Sequence, residues 1–367
     1  MPEPTPRPGI LKISSYVGGE AVLPGVETVV KLSSNENPLG PSPRASAAYR
    51  AAADSLHRYP DGHAVALRHA IGSRYGLDPT RIVCGCGSDE LLSLLGHAYA
   101  GPGDEIIYSQ YGFLLYPIIA HATGATPVVA PEVGLRTDID AILASVTPRT
   151  RIVYLANPNN PTGTYVPATE MARLHRALPE SVLLVIDAAY AEYVDRSDYA
   201  AGTELVEVGT STVMTRTFSK IHGLSALRLG WAYGPATVID ALNRIRGPFN
   251  ISTPAQVTGI AAIEDRSYTE LVRVHNTTWR FWLTEKLTAL GLALTDSVAN
   301  FVLVRFPDER GRDSIAADTF LRRHGLIARR MDSYGLAHSL RLSIGRDTDM
   351  RAAVETLTLF MTQKDAA

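Results

Sequence analysis

The chain has 367 residues, 35 basic against 37 acidic side chains, a formal net charge of −2, and 46% hydrophobic against 20% charged residues. That length suggests two domains, or one large domain with a smaller companion, and enough apolar material for sizeable cores. The near-neutral balance and the lack of a long basic run argue against nucleic acid as the main partner, and no uninterrupted apolar stretch of about 18 residues predicts a membrane span.

Residues 1–37 read as an irregular N-terminal arm, broken by Pro2, Pro4, Pro6, Pro8 and Pro24 and without the apolar core of a signal peptide. An Ala/Leu-rich helical pattern begins near residue 44, breaks at Tyr59-Pro60-Asp61-Gly62 and resumes through Tyr75. Short apolar runs then alternate with helical stretches. The predicted strands are 81–85, 105–109, 126–130, 151–157, 181–187 and 211–219, with a helix over 169–178. Runs such as VLLVI are apolar at every position, which suits parallel strands covered on both faces by helices. This alternation predicts an α/β large domain over 38–255 with a mostly parallel central sheet. Past Pro248 and Pro254 a long helical stretch (about 255–290) leads into strands that alternate apolar and polar residues, with another helix near 314–324. We therefore expect a smaller α+β domain over 256–367.

Two cysteines, Cys84 and Cys86, exclude a disulfide framework and fit a reducing cytoplasm. No matched Cys or His spacing makes a metal site of them. His57, His63 and His69 read as surface residues. The lysines are more telling: there are five, Lys12, Lys31, Lys220, Lys286 and Lys364, against thirty arginines. Arginine dominance across a surface can be codon preference alone. Lysine, however, can lose its proton when buried and act as a nucleophile or base, which arginine cannot.

In an open parallel sheet, ligands bind at the carboxyl ends of the strands. Four predicted strand ends carry Asn157-Pro158-Asn159-Asn160-Pro161-Thr162-Gly163, Asp187-Ala188-Ala189-Tyr190, Phe218-Ser219-Lys220 with Arg228 beyond, and Cys86-Gly87-Ser88-Asp89. Taken alone, the last is more often an ordinary N-cap than a phosphate cup, and the first could be a proline-rich turn. Asp187 is harder to dismiss, because a carboxylate ending an apolar run needs a cationic partner. Together they offer an amide, a carboxylate, an amine and an anion-binding helix start.

The pattern S-K-x-x-G-x-x-x-x-R-x-G, with N-P-x-N-P-T-G and D-x-x-Y upstream, resembles the fold-type I enzymes that use pyridoxal 5′-phosphate (PLP), the aspartate aminotransferase superfamily. Within it the chain is similar over essentially its full length to the histidinol-phosphate aminotransferases, through residues 31–43, Tyr59-Pro60-Asp61, Gly87-Ser88-Asp89-Glu90, Arg329-x-Met331-x-x-Tyr334-Gly335-Leu336 and Leu340-Arg341. The resemblance implies roles. Lys220 would attach the cofactor covalently and then move the proton at the substrate Cα. Asp187 would pair with the pyridine nitrogen, and Asn157 and Tyr190 would hydrogen-bond the ring's O3′. Ser88, Asp89, Ser219 and Arg228 would hold the phosphate, and Tyr59 would reach the cofactor of a second subunit, making a homodimer with shared active sites. Phe113, with Tyr111 as alternative, would stack on the ring. Arg341 and Arg329 would grip substrate anions, and Tyr16 and Asn37 would close over the substrate.

The implied reaction is transfer of the amino group of L-histidinol phosphate to 2-oxoglutarate, in histidine biosynthesis. Aromatic amino-acid or arogenate aminotransferases and threonine-phosphate decarboxylases share the cofactor residues and are its rivals. The PLP-binding transcriptional regulators need a DNA-binding module for which the N-terminal arm is too short, and no G-x-G-x-x-G follows the first strand to suggest a dinucleotide site.

Overall fold

A computed structural model describes residues 3–26 and 28–362. Its centre is a seven-stranded sheet in the order Ile82–Gly85, Gly230–Tyr233, Thr212–Thr217, Leu183–Asp187, Thr150–Ala156, Glu105–Ser109, Thr126–Ala130. Six strands run one way. Gly230–Tyr233 is antiparallel to both its neighbours. It escapes prediction because its four residues follow directly on the Arg228-x-Gly230 turn, leaving no separate apolar run to recognise.

The fully apolar strands behave as their composition dictates. Ile152, Val153, Leu184, Val185, Ile186 and Val213 are all buried, each worth about 1.5–3 kcal/mol relative to exposure. Alternate residues feed opposite faces: Val185 joins a core beneath the helices Ser88–Tyr99 and Leu115–Thr123, while Leu184 and Ile186 join another under Ala168–Ala177.

The second body is a four-stranded antiparallel sheet, Ala293–Leu294, Phe301–Arg305, Ser339–Ser343, Arg329–Arg330, backed by Ser314–Arg323 and Asp347–Thr362. Packing runs across the expected cut at residue 256. The long helical stretch is two helices, Thr253–Glu264 and Arg266–Ala289, separated at Asp265, whose side chain caps the second by accepting from Tyr268 N. Ala255, Ala262 and Ile263 pack into the core of the large body beside Leu67 and Ile71, whereas Leu283 and Leu287 belong to the small one. The segment 253–289 is therefore shared between the two cores. The small body also recruits the end of the N-terminal arm, because Val30–Lys31 pairs in parallel with Leu326–Ile327 and Leu32 joins that core. Pairing between positions almost 300 residues apart leaves no local periodicity to read.

From Leu32 the chain crosses back to the large body through a strap that bonds to both. Asn35 N donates to Ser343 Oγ in the small body, and Asn35 Nδ2 donates to Tyr190 in the large one. Asn37 Nδ2 donates to the carbonyl of Ile221. Among the described residues no helix is long and apolar enough to cross a membrane, and no cluster of His, Cys, Asp and Glu is arranged to hold a metal.

Candidate active site

The carboxyl ends of the parallel strands open into a cavity of about 470 Å³ whose far wall is the small sheet. Asp187 ends the strand Leu183–Asp187 and is buried, with no basic partner among the described residues. Its Oδ2 accepts from Tyr116 OH at 2.9 Å and its Oδ1 from Thr215 Oγ1 at 3.4 Å. Burial pushes its carboxyl up to about 6, and the Tyr116 hydrogen bond opposes that rise.

Lys220 lies in the turn after Thr212–Thr217. Its Nζ sits 3.4 Å from the carbonyl of Ser34 and 5.7 Å from the centre of the Tyr190 ring. Burial, and then the guanidinium of Arg341, lower its ammonium to about 8. Tyr190 is buried and accepts from Asn35 Nδ2 at 3.0 Å, and burial raises its phenol above the usual value.

A cup for an anion forms where the helix Ser88–Tyr99 begins. Gly87 turns the chain with φ 81°, which exposes the first helical N–H groups. Arg228, itself left-handed at φ 51°, leans across this helix start. Its Nη1 donates to Ser219 Oγ and the Ser225 carbonyl, and its Nη2 pairs with Asp89 at 3.0 Å. A methyl group on Gly87 would collide with the Arg228 guanidinium, and one on Gly230 with the backbone N of Ser88. The two glycines keep the cup narrow.

The small sheet supplies the cations. Arg329 and Arg341 face each other in register on neighbouring antiparallel strands. Arg341 is buried over the ring of Phe301 and donates to Asn160 Oδ1 and the Ser33 carbonyl, while its Nε has no partner. Arg329 reaches the carbonyls of Val17 and Gly18 on the N-terminal arm. Among the described residues neither arginine pairs with a carboxylate. Phe113 and Tyr16 make an edge-on aromatic pair with ring centres 6.5 Å apart, and Tyr334 lines the same cavity.

The sequence-predicted set mostly converges here: Ser88, Asp89, Asp187, Tyr190, Ser219, Lys220, Arg228, Phe113, Tyr16, Arg329 and Arg341 all line the cavity. Tyr111 does not, and its backbone N is held by Glu132 instead. Asn157 does not line it either. Its side chain closes a local turn, accepting from Val166 N and donating to the Val166 carbonyl, and the amide in the wall is Asn160. Asn37 likewise braces its own loop through Leu39 N and the Gly40 and Ile221 carbonyls, while Asn35 lines the cavity. Tyr59 stands away from the cavity, 82% exposed and stacked on Phe249. Sequence reasoning missed Asn35, Asn160 and Tyr116. The first two stand within quoted motifs, two and three residues from the chosen amides.

The chain matches the family "Aminotransferase class I and II" over residues 27–357. It is 57% identical to a histidinol-phosphate aminotransferase of Paramagnetospirillum magneticum, over 98% of this chain and 99% of that protein, and 57% identical to one of Rhodospirillum rubrum, over 98% and 97%. Among solved structures it is similar to the histidinol-phosphate aminotransferase of Sinorhizobium meliloti in complex with pyridoxal-5′-phosphate, with TM-score 0.88 and 29% identity over 97% of both chains. The aspartate aminotransferase of Thermus thermophilus shares the fold, with TM-score 0.81 and 24% identity over 91% of this chain and 92% of that one.

Proposed function

The chain belongs to the class I and II aminotransferases, and from that premise we propose that it transfers the amino group of L-histidinol phosphate to 2-oxoglutarate. The products are imidazole acetol phosphate and glutamate, a step of histidine biosynthesis. One observation carries the choice of substrate. Arg329 and Arg341 stand directly opposite each other across a strand pair, an arrangement that destabilises a sheet. With no carboxylate beside either, the charge they lack is an incoming anion, and a phosphate dianion suits two guanidinium forks. The aromatic wall of Tyr16, Phe113 and Tyr334 suits an imidazole ring.

The cofactor is PLP, and the cavity fits it. Asp187 is a buried carboxylate without a cation, which a protonated pyridine nitrogen supplies. The glycine-narrowed cup offers helix N–H groups, Ser88, Ser219 and Arg228 to a phosphate. Lys220 is a half-buried amine whose ammonium is lowered to about 8. When bound, PLP supplies an electron sink conjugated to the substrate Cα.

The chain's residues prepare that chemistry. Lys220 would provide the amine that holds the cofactor covalently, and once released its Nζ would take the proton from the substrate Cα. Its low affinity for protons lets one group do both. Asp187 keeps the pyridine nitrogen protonated, and Tyr190, oriented by Asn35, donates toward the ring hydroxyl together with Asn160. Phe113 covers the ring face. Arg341 orients every substrate through its anionic group, and Arg329 adds the charge that a phosphorylated donor requires. In the second half-reaction the same pair receives the carboxylates of 2-oxoglutarate. The exposed Tyr59, outside this chain's own cavity, supports a homodimer in which it completes the phosphate site of a second copy.

The test is a comparison of kcat/KM for histidinol phosphate, phenylalanine and tyrosine with 2-oxoglutarate as acceptor. Histidinol phosphate should lead by at least about tenfold, the weight of one charge-assisted contact. A tenfold preference for the aromatic amino acids would sink the substrate assignment, and CO₂ release from threonine phosphate would identify a decarboxylase instead.

A further inference from the structure

Tyr116 is buried on the helix Leu115–Thr123, three residues beyond Phe113. Its hydroxyl bonds the one carboxylate oxygen of Asp187 that Thr215 does not reach, at 2.9 Å. The ring cannot swing away: it lies parallel to Tyr154, with centres 4.8 Å apart and planes 2° from parallel, and meets Phe113 edge-on at 6.0 Å. Tyr154 is fixed in turn, donating to the carbonyl of Leu92 at 2.8 Å. Leu92 stands in the helix whose first residues form the phosphate cup. An unbroken line of contacts therefore runs from the cup helix through two stacked rings to Asp187. A hydroxyl placed in so apolar a core is expensive to desolvate unless its bond is made, so its single acceptor defines its purpose.

We propose that Tyr116 is a positioning residue for the cofactor: by clamping Asp187 Oδ2 it presents the carboxylate to the pyridine nitrogen of PLP. The proposal rests on the assignment of Asp187 to that nitrogen. Burial and the neighbouring Asp187 hold the Tyr116 phenol well above its usual range, so it remains a donor at every working pH. The Phe113 ring and the clamp leave one short helix start together, so the covering of the ring face and the aim of the carboxylate are set by the same backbone.

The test measures affinity, apart from turnover. The full-length chain, freed of cofactor, is titrated with PLP and with the analogue whose ring nitrogen is replaced by C–H. The parent should prefer PLP, because only PLP presents a charged N–H to Asp187. Tyr116→Phe keeps the stacked ring and deletes the hydroxyl. It should weaken PLP about tenfold, the scale of a hydrogen bond to a charged group, and the analogue less than about twofold. Tyr116→His, which restores an N–H donor on a flat ring, should recover most of the lost preference and provides a second route if the phenylalanine variant folds poorly. Equal weakening of both cofactors, or no weakening of either, in Tyr116→Phe overturns the proposal. A parent that binds both cofactors alike overturns the assignment of Asp187, and the role of Tyr116 with it.

Discussion

The two walls of the cavity are built by opposite rules. The large sheet is parallel in six of its seven strands, largely apolar on both faces, and carries its chemistry where strands end: Asp187, Lys220 and the cup at Ser88 all stand at or just past a carboxyl terminus. The small sheet is antiparallel and carries Arg341 in mid-strand, between Leu340 and Leu342, both buried in its core. Chemistry at a strand end disturbs little packing. A cation in mid-strand opposite a second cation opposes stability, and the fold keeps it for what it binds. On the proposed assignments, the large sheet would set what reaction occurs and the small sheet which molecules undergo it.

Substitutions on the two walls can break this division. Lys220→Ala should lower turnover with every donor by at least about a thousandfold, the scale of losing a positioned base, and should abolish borohydride-reducible PLP. If the loss depended on the donor, the large sheet would be selecting substrates too. Arg341→Ala should cut kcat/KM about a hundredfold for phosphorylated and unphosphorylated donors alike, as loss of a buried charge-assisted contact demands. Arg329→Gln should cost about tenfold with histidinol phosphate and little with phenylalanine. It should also raise stability to urea by a few tenths of a kcal/mol, because the opposed cation is gone. An Arg329 variant that weakens all donors equally would erase the distinction between the two arginines.

A further expected effect lies in pH. In the cofactor-free chain the Lys220 ammonium sits near 8 against its usual 10.5. Between those values the unfolded chain holds more protons than the folded one, so this residue makes stability rise as pH climbs from 8 to 10.5. Asp187, at about 6 against 3.8, acts with the opposite sign: its contribution is present below 3.8 and is lost as pH rises through 6. Urea denaturation across pH should show Lys220→Ala losing the alkaline rise and keeping the acid slope.

What could be read in the sequence follows the same division. The strands of the large sheet announce themselves as apolar runs, and a polar residue ending one, as Asp187 does, is conspicuous. Lysine scarcity made Lys220 conspicuous in its own way. The asparagines were harder. Asn157 is still on the ladder, its N bonded to the Asp187 carbonyl, and its side chain meets the returning Val166, so Asn160 is the amide left to face the cavity. Only the path of the turn decides between them. Asn35 and Asn37 pose the same problem on the strap. A helix shows its apolar stripe without showing which core receives it, so the sequence does not reveal that the segment 253–289 serves two cores. Tyr116 reads as an ordinary core aromatic until Asp187 is placed against it.

The strap over 33–40 has a mechanical meaning. It leaves the small body at Leu32, bonds to Ser343 there, and lands just past the lysine: Asn37 bonds to Ile221, and Gly223 passes so close to the Gly40 carbonyl that a side chain at 223 would strike it. Ser34, between these anchors, gives its carbonyl to Lys220 itself. The small body and the loop that carries Lys220 are thus joined through one short segment of chain, by bonds that do not cross the cavity.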